Sequence, residues 1–150
     1  MIVLGDQNNY MRLALAEALK AKNKDEVPVG AILVNSKGQI IAKAHNLVET
    51  KNNSLCHAEK LVIEKALKIT SQKFLIDCDI WVTLEPCAMC ASIIKQTRIR
   101  RLYYGAEDKK GGAILNGPQI FSNNKNIEIY SGFSAEQSEE MLKEFFKKLR

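Results

Sequence analysis

Apolar residues recur along this chain with two different periods, and the switches between them mark out its elements. Residues 8 to 22, NNYMRLALAEALKAK, place Tyr10, Leu13, Ala14 and Ala18 at helical spacing with no Gly or Pro between them, the pattern of an amphipathic helix that packs on a core. VPVGAILVN then turns β-branched, and the turn signal NSKG precedes QIIAKAHN, which predicts a β-hairpin over about residues 29 to 46. Residues 47 to 56, punctuated by Asn and Ser, read as a loop. From His57 to Ile69 the apolar positions Leu61, Val62, Ala66 and Ile69 return to the helical period, with His57 and Glu59 in the first turn. DIWVTL is a short apolar strand, Pro86 suits the first turn of a helix carrying Cys87 to about Lys95, and RLYYGA is a further strand.

Residues 107 to 126 are rich in Gly, Asn and Lys and obey neither period, which predicts a long loop with at most one short helical turn. NIEIYSG is the last expected strand, and Ser134 with Gln137 spells a capping box ahead of a closing helix, AEQSEEMLKEFFKKL. An opening hairpin followed by strands alternating with helices implies a layered α/β fold, a mixed sheet with helices on both faces. No repeat or linker interrupts the pattern, so residues 1 to 150 are expected to form one domain.

Composition narrows the setting. A chain of 150 residues, 46% hydrophobic, can bury one real core. No run approaches the roughly eighteen apolar residues of a membrane span, and MIVLGDQNNY lacks the basic start and long apolar stretch of a signal peptide, so a cytoplasmic protein without membrane attachment is expected. Four cysteines, at 56, 78, 87 and 90, are too few and too uneven for a disulfide scaffold and are expected as thiols or metal ligands. The net charge of +5 favours an anionic partner without naming one.

Two stretches carry candidate chemistry. In PCAMC, Cys87 and Cys90 are three apart and lie on one face of a helix, so both sulfurs reach a single ion, and the helix N-terminus favours thiolate over thiol. His57 in CHAEK offers a third, imidazole donor, and the set suits zinc. Three protein ligands leave a fourth coordination position for water, whose pKa a catalytic zinc lowers to about 7. Glu59, two residues from His57, then has the role of proton shuttle. A closed structural site would need a fourth protein ligand. Cys56 diverges from its neighbour His57 and fits poorly, whereas Cys78 stays open at this level; both are otherwise packing residues.

HAE at 57 to 59 with PCAMC at 86 to 90 matches the His-x-Glu and Pro-Cys-x-x-Cys signature of the zinc nucleobase deaminases. Together with VPVGAILV, Asn46, VTLEPCAMC, YGAEDKKGG and the terminal EFFKKLR, in order and approximate spacing, the chain resembles the bacterial tRNA-specific adenosine deaminases over nearly its whole length. The resemblance implies a three-layer α/β/α cytidine deaminase-like fold with a five-stranded mixed sheet, usually a homodimer, and one Zn2+ per chain on His57, Cys87 and Cys90. It implies conversion of the wobble adenosine of a tRNA anticodon to inosine with release of ammonia, Glu59 moving the protons. It also implies that Asn46 hydrogen-bonds the purine, that the backbone of Ala58 contacts it, and that Val29 forms an apolar wall. By residue type alone, Asn46 is equally a turn residue and Val29 a core valine.

A reacting base must be splayed out of its stack, so flanking RNA of the anticodon stem-loop must be held as well. The candidates are Arg98 within KQTRIRR, Asp108, Lys109 and Lys110 in the long loop, and Phe145, Phe146 and Lys147 in the last helix. Family members commonly carry a Gly-Ala and a further Gly-Ser after the aspartate, whereas this chain reads KKGGAILNGPQIF, which leaves open which loop residues face RNA. Two other functions share the metal site: deamination of a free nucleobase or nucleotide such as guanine or cytosine, and a non-catalytic RNA-binding module stapled by zinc. The basic balance and long loop favour a macromolecular substrate over the first, and Glu59 argues against the second.

Overall fold

The structure, a computed structural model, describes residues 4–149, with side chains from Asn9 onward. The first three residues of the N-terminal stretch and Arg150 of EFFKKLR lie outside the described residues. The elements run α1 (Leu4–Asn23), β1 (Gly30–Val34), β2 (Ile40–His45), α2 (Ala58–Thr70), β3 (Asp79–Leu84), α3 (Ala88–Gln96), β4 (Arg101–Ala106), β5 (Glu128–Tyr130) and α4 (Ala135–Lys148). The expected hairpin is β1 and β2, paired antiparallel with Gly30 opposite His45. Its turn is closed by Asn35, whose Oδ1 accepts the amides of Lys37 and Gln39 at 3.0 and 2.9 Å, the bonding that makes Asn a turn residue.

The sheet order is β2-β1-β3-β4-β5. β1 is antiparallel to β2 and β3, while β3, β4 and β5 run parallel. Strand alternation sorts the core into two. Ala31, Leu33, Ile80, Val82, Leu102 and Tyr104 join Ala58, Leu61 and Val62 of α2 and Ala91 and Ile94 of α3. Ile32, Val34, Trp81 and Tyr103 turn the other way, against Tyr10, Met11 and Ala14 of α1, with α4 on the same side. The result is the three-layer α/β/α arrangement with its opening hairpin. Helix α1 lies so close over β1 that a Cβ on Gly30 would stand 2.0 Å from the carbonyl oxygen of Ala14, which is why glycine occupies that position.

One local expectation holds and two change. Residues 107–127 form the expected long loop, without a helical turn; they are the crossover that parallel strands β4 and β5 require, pinned by buried Ala113, Ile114 and Phe121. The capping box at Ser134 does not form, because Ser134 is left-handed (φ 54°, ψ 36°), whereas a capping hydroxyl needs extended backbone, and no side-chain cap bond is made. Finally, His57 and Cys87 are the N-cap residues of α2 and α3 rather than members of their first turns. Among the described residues, no helix is long and apolar enough to cross a membrane.

Candidate active site

The sheet directions bring four chain segments to one end of the molecule. The ends of β2, β3 and β4 and the start of antiparallel β1 all open there, and the N-termini of α2 and α3 point into the same place. A cleft of about 300 Å³ results, lined by residues including Val29, Asn46, His57, Ala58, Glu59, Glu85, Cys87 and Asp108.

At its floor His57 Nδ1 stands 3.6 Å from Cys87 Sγ and 3.6 Å from Cys90 Sγ. A tetrahedral zinc with bonds of about 2.3 Å to sulfur and 2.0–2.1 Å to nitrogen has an S···N edge of about 3.6 Å, so the three donors fit that ion. Extended backbone at both N-cap residues aims the His57 and Cys87 side chains at a common point, and Cys90, in the first turn of α3, reaches the same point. The group shares its protons unequally. A hydrogen bond from Cys90, the nearby His57 and the positive end of α3 bring the Cys87 thiol down to about 4, against its burial. Contact with Cys87 and burial push Cys90 up, and the Cys87 contact raises His57. A cation at that point takes the place of the shared protons. Among the described residues this is the one group of three such donors close enough to hold an ion.

The open question about Cys78 is answered by β3. Cys78 immediately precedes the strand and Cys87 follows it, some 20 Å apart along an extended chain of this length. Cys56 is buried in the α2-side core, its N–H on Asn53 O and its carbonyl accepting Leu47 N–H.

Glu59, 4% exposed, stands beside Cys90 in the cleft. Burial lifts its carboxyl to about 7. Ala58 and Val29 line the cleft as buried residues. Asn46 does so while also shaping the turn after β2: its Oδ1 accepts Val48 N–H at 3.0 Å and its Nδ2 donates to Val27 O at 3.3 Å.

Two further cleft residues had no signal in the sequence beyond being glutamates. Glu26 is fully buried and accepts the amides of Glu49 and Thr50 at 2.9 and 2.6 Å and the Thr50 hydroxyl at 2.6 Å, fixing the loop after β2. Glu85, 2% exposed, gathers the loop after β4 in the same way. Buried carboxylates saturated by N–H donors are loop anchors, and only the fold shows which donors they meet.

The candidate RNA contacts are dispersed. Asp108 lines the cleft with exposed Lys109 and Lys110 beside it. Phe146 is 48% exposed and Lys147 is exposed, but Phe145 is only 6% exposed and packs inward, so the aromatic face available on α4 is that of Phe146. Arg98 lies before β4, at the end of the sheet away from the cleft, with its guanidinium over Phe74 at 4.1 Å. Its neighbours Arg100 and Arg101 are tied to Asp79 and Glu128.

An α/β/α layer fold with a His-Cys-Cys donor set and a buried glutamate beside it defines a nucleobase deaminase of the cytidine deaminase-like class. Residues 5–150 match the family model of the MafB19-like deaminases. The chain is 50% identical to the tRNA-specific adenosine deaminase of Rickettsia bellii, over 93% of this chain and 99% of that protein, and 44% identical to that of Bacillus subtilis, over 94% and 89%. A solved structure from studies of A-to-I editing by tRNA:A34 deaminases at the wobble position superposes with a TM-score of 0.85 at 45% identity, covering 89% of this chain and 99% of that one. The chain belongs to the tRNA-specific adenosine deaminase family. Guanine deaminase of Nitrosomonas europaea, at 19% identity and a TM-score of 0.82, shares the fold.

Proposed function

We propose that this chain hydrolyses the wobble adenosine of a tRNA anticodon to inosine and ammonia, with one zinc held by His57 Nδ1, Cys87 Sγ and Cys90 Sγ. The observation that carries the reading is the 3.6 Å spacing of both sulfurs from His57, with buried Glu59 beside them in a cleft. The tRNA substrate is supported by the relatives named for it.

When bound, the zinc supplies a Lewis acid that makes water deprotonable near neutral pH. Glu59 moves the protons. It takes one from the attacking water and gives it to the purine nitrogen next to carbon 6, then delivers the second to the departing amino group, so water's two protons end on the ring and in ammonia. A carboxyl lifted to about 7 by burial is a stronger acid-base partner at neutral pH than an exposed one, and a nearby cation draws it down from there. Val29 supplies an apolar wall for the base, Ala58 a backbone contact, and Asn46 an amide whose Nδ2 holds only the longer, 3.3 Å bond.

A 300 Å³ cleft accommodates a nucleoside and excludes a stacked loop, so the target nucleotide must swing out while the flanking RNA stays outside. Asp108, Lys109 and Lys110 at the mouth and Phe146 and Lys147 on α4 are the residues we assign to it. The enzyme is cytoplasmic and a homodimer in this reading, the latter tested by sedimentation.

The reaction is tested by assaying zinc-loaded protein on tRNA bearing adenosine at the wobble position, beside free adenosine, cytosine and guanine. Inosine is expected in the tRNA alone. Turnover confined to a free nucleoside or base overturns the reading.

A further inference from the structure

The two flanks of the cleft are loops rather than sheet, and each is held by a buried carboxylate. On the β4 flank, Glu85 Oε1 accepts Asp108 N–H at 3.1 Å and Asn116 Nδ2 at 2.8 Å. Its Oε2 accepts the amides of Ile114, Leu115 and Asn116 at 3.0, 3.0 and 3.1 Å. All five partners are donors, which an ionised carboxylate satisfies and an amide does not.

The chain closes tightly around this contact. A Cβ on Gly112 would stand 2.4 Å from the Glu85 carboxyl carbon, so the loop passes directly over it. Ala113 N–H donates to Pro86 O at 2.9 Å, tying the loop to the residue before Cys87. Asn116 Nδ2 also reaches Glu107 at 3.0 Å, joining the loop's far part to its start. Glu85 lines the cleft but is not among the three donors that surround the metal point.

We propose that Glu85 is a positioning residue: by gathering residues 108 and 114–116 onto one buried carboxylate it fixes Asp108 and the adjoining lysines at the cleft mouth, and so governs how well the RNA is held rather than how fast the base reacts. The proposal rests on the tRNA reading above. Its logic is geometric. The donors reaching Glu85 come from the loop that carries Asp108, and none comes from His57, Glu59 or Cys90. Loss of the anchor therefore displaces the loop while the floor of the site stays in place.

The test is steady-state kinetics of zinc-loaded wild type, Glu85→Gln and Asn116→Ala on an anticodon stem-loop bearing the wobble adenosine, with zinc content measured on each. Gln preserves shape but turns an NH2 group toward donors, so KM is expected to rise about tenfold or more with kcat within about twofold and zinc unchanged. Asn116→Ala, which leaves Glu85 intact and removes one donor, is expected to shift KM the same way by about threefold, and it carries the test if Glu85→Gln does not fold. A wild-type KM in both variants, or a fall in kcat at constant KM, overturns the inference. Absence of inosine with wild type instead overturns the proposed reaction.

Discussion

His57 Nδ1 lies 3.6 Å from Cys90 Sγ, the edge of a zinc tetrahedron, although the two residues are the N-cap of one helix and a first-turn residue of another. Removing one vertex leaves two donors, too few for a stable site. Cys87→Ala and Cys90→Ala are therefore expected to purify with almost no zinc. Cys56→Ala and Cys78→Ala should each keep about one ion per chain, since neither sulfur belongs to the group. Metal analysis of the four variants decides it; zinc lost from the Cys78 variant would mean that the site is closed by a fourth protein ligand.

Glu59→Gln keeps the volume of the side chain and removes its capacity to carry protons. Turnover is expected to fall by about 10²–10⁴-fold while zinc content and melting temperature hold. A structural zinc staple makes the opposite forecast, because Glu59 has no task in it. Substantial activity in this variant would remove the proton shuttle from the mechanism.

Legibility followed physical range. The hairpin, the helix beginning near His57 and the strand before Pro86 were readable because period and turn chemistry are local, and His57, Glu59, Cys87 and Cys90 stand out by residue type and spacing. Residues 107–126 were readable as a long loop, but not its buried anchors Ala113, Ile114 and Phe121, which answer to the neighbouring layer rather than to any period of their own. Ser134 failed as a cap because the chain leaving β5 enters α4 through left-handed backbone, which the capping-box sequence does not encode. Glu26 and Glu85 were invisible as anchors because their partners lie more than twenty residues away.

Glu26 makes stability depend on pH in a defined direction. Burial pushes its carboxyl up, but the Thr50 hydroxyl and the amides of Glu49 and Thr50 outweigh that and hold it below the ordinary value of 4.5. A folded-state pKa below the unfolded one contributes stability that is complete above about 4.5 and is lost as pH falls through the folded value. Glu26→Gln is accordingly expected to be less stable at pH 7 by about 1–3 kcal/mol, with the gap to wild type closing in acid. Denaturant melts of both proteins across that range provide the check. A gap that stays constant below pH 4 would show that packing, not the carboxylate, holds the loop.

Phe145 and Phe146 are adjacent in sequence and opposite in exposure, 6% against 48%, which lets one experiment separate packing from RNA contact on α4. Phe145→Ala opens a cavity in a packed face, and a loss of up to about 3–5 kcal/mol of stability is expected, seen as a lowered melting temperature. Phe146→Ala, which loses only the edge-on contact of its ring with Phe145 at 5.2 Å, should cost less, about 0.5–1.5 kcal/mol. If its exposed ring stacks on a base beside the flipped nucleotide, its removal weakens binding of the anticodon stem-loop by about 1–3 kcal/mol. Binding titrations at fixed salt measure this directly, and raising the salt should weaken wild type and variant in parallel, since stacking adds no phosphate contact. Unchanged affinity in Phe146→Ala would leave Lys147 as the one RNA contact assigned to α4, beside the loop carrying Asp108, Lys109 and Lys110.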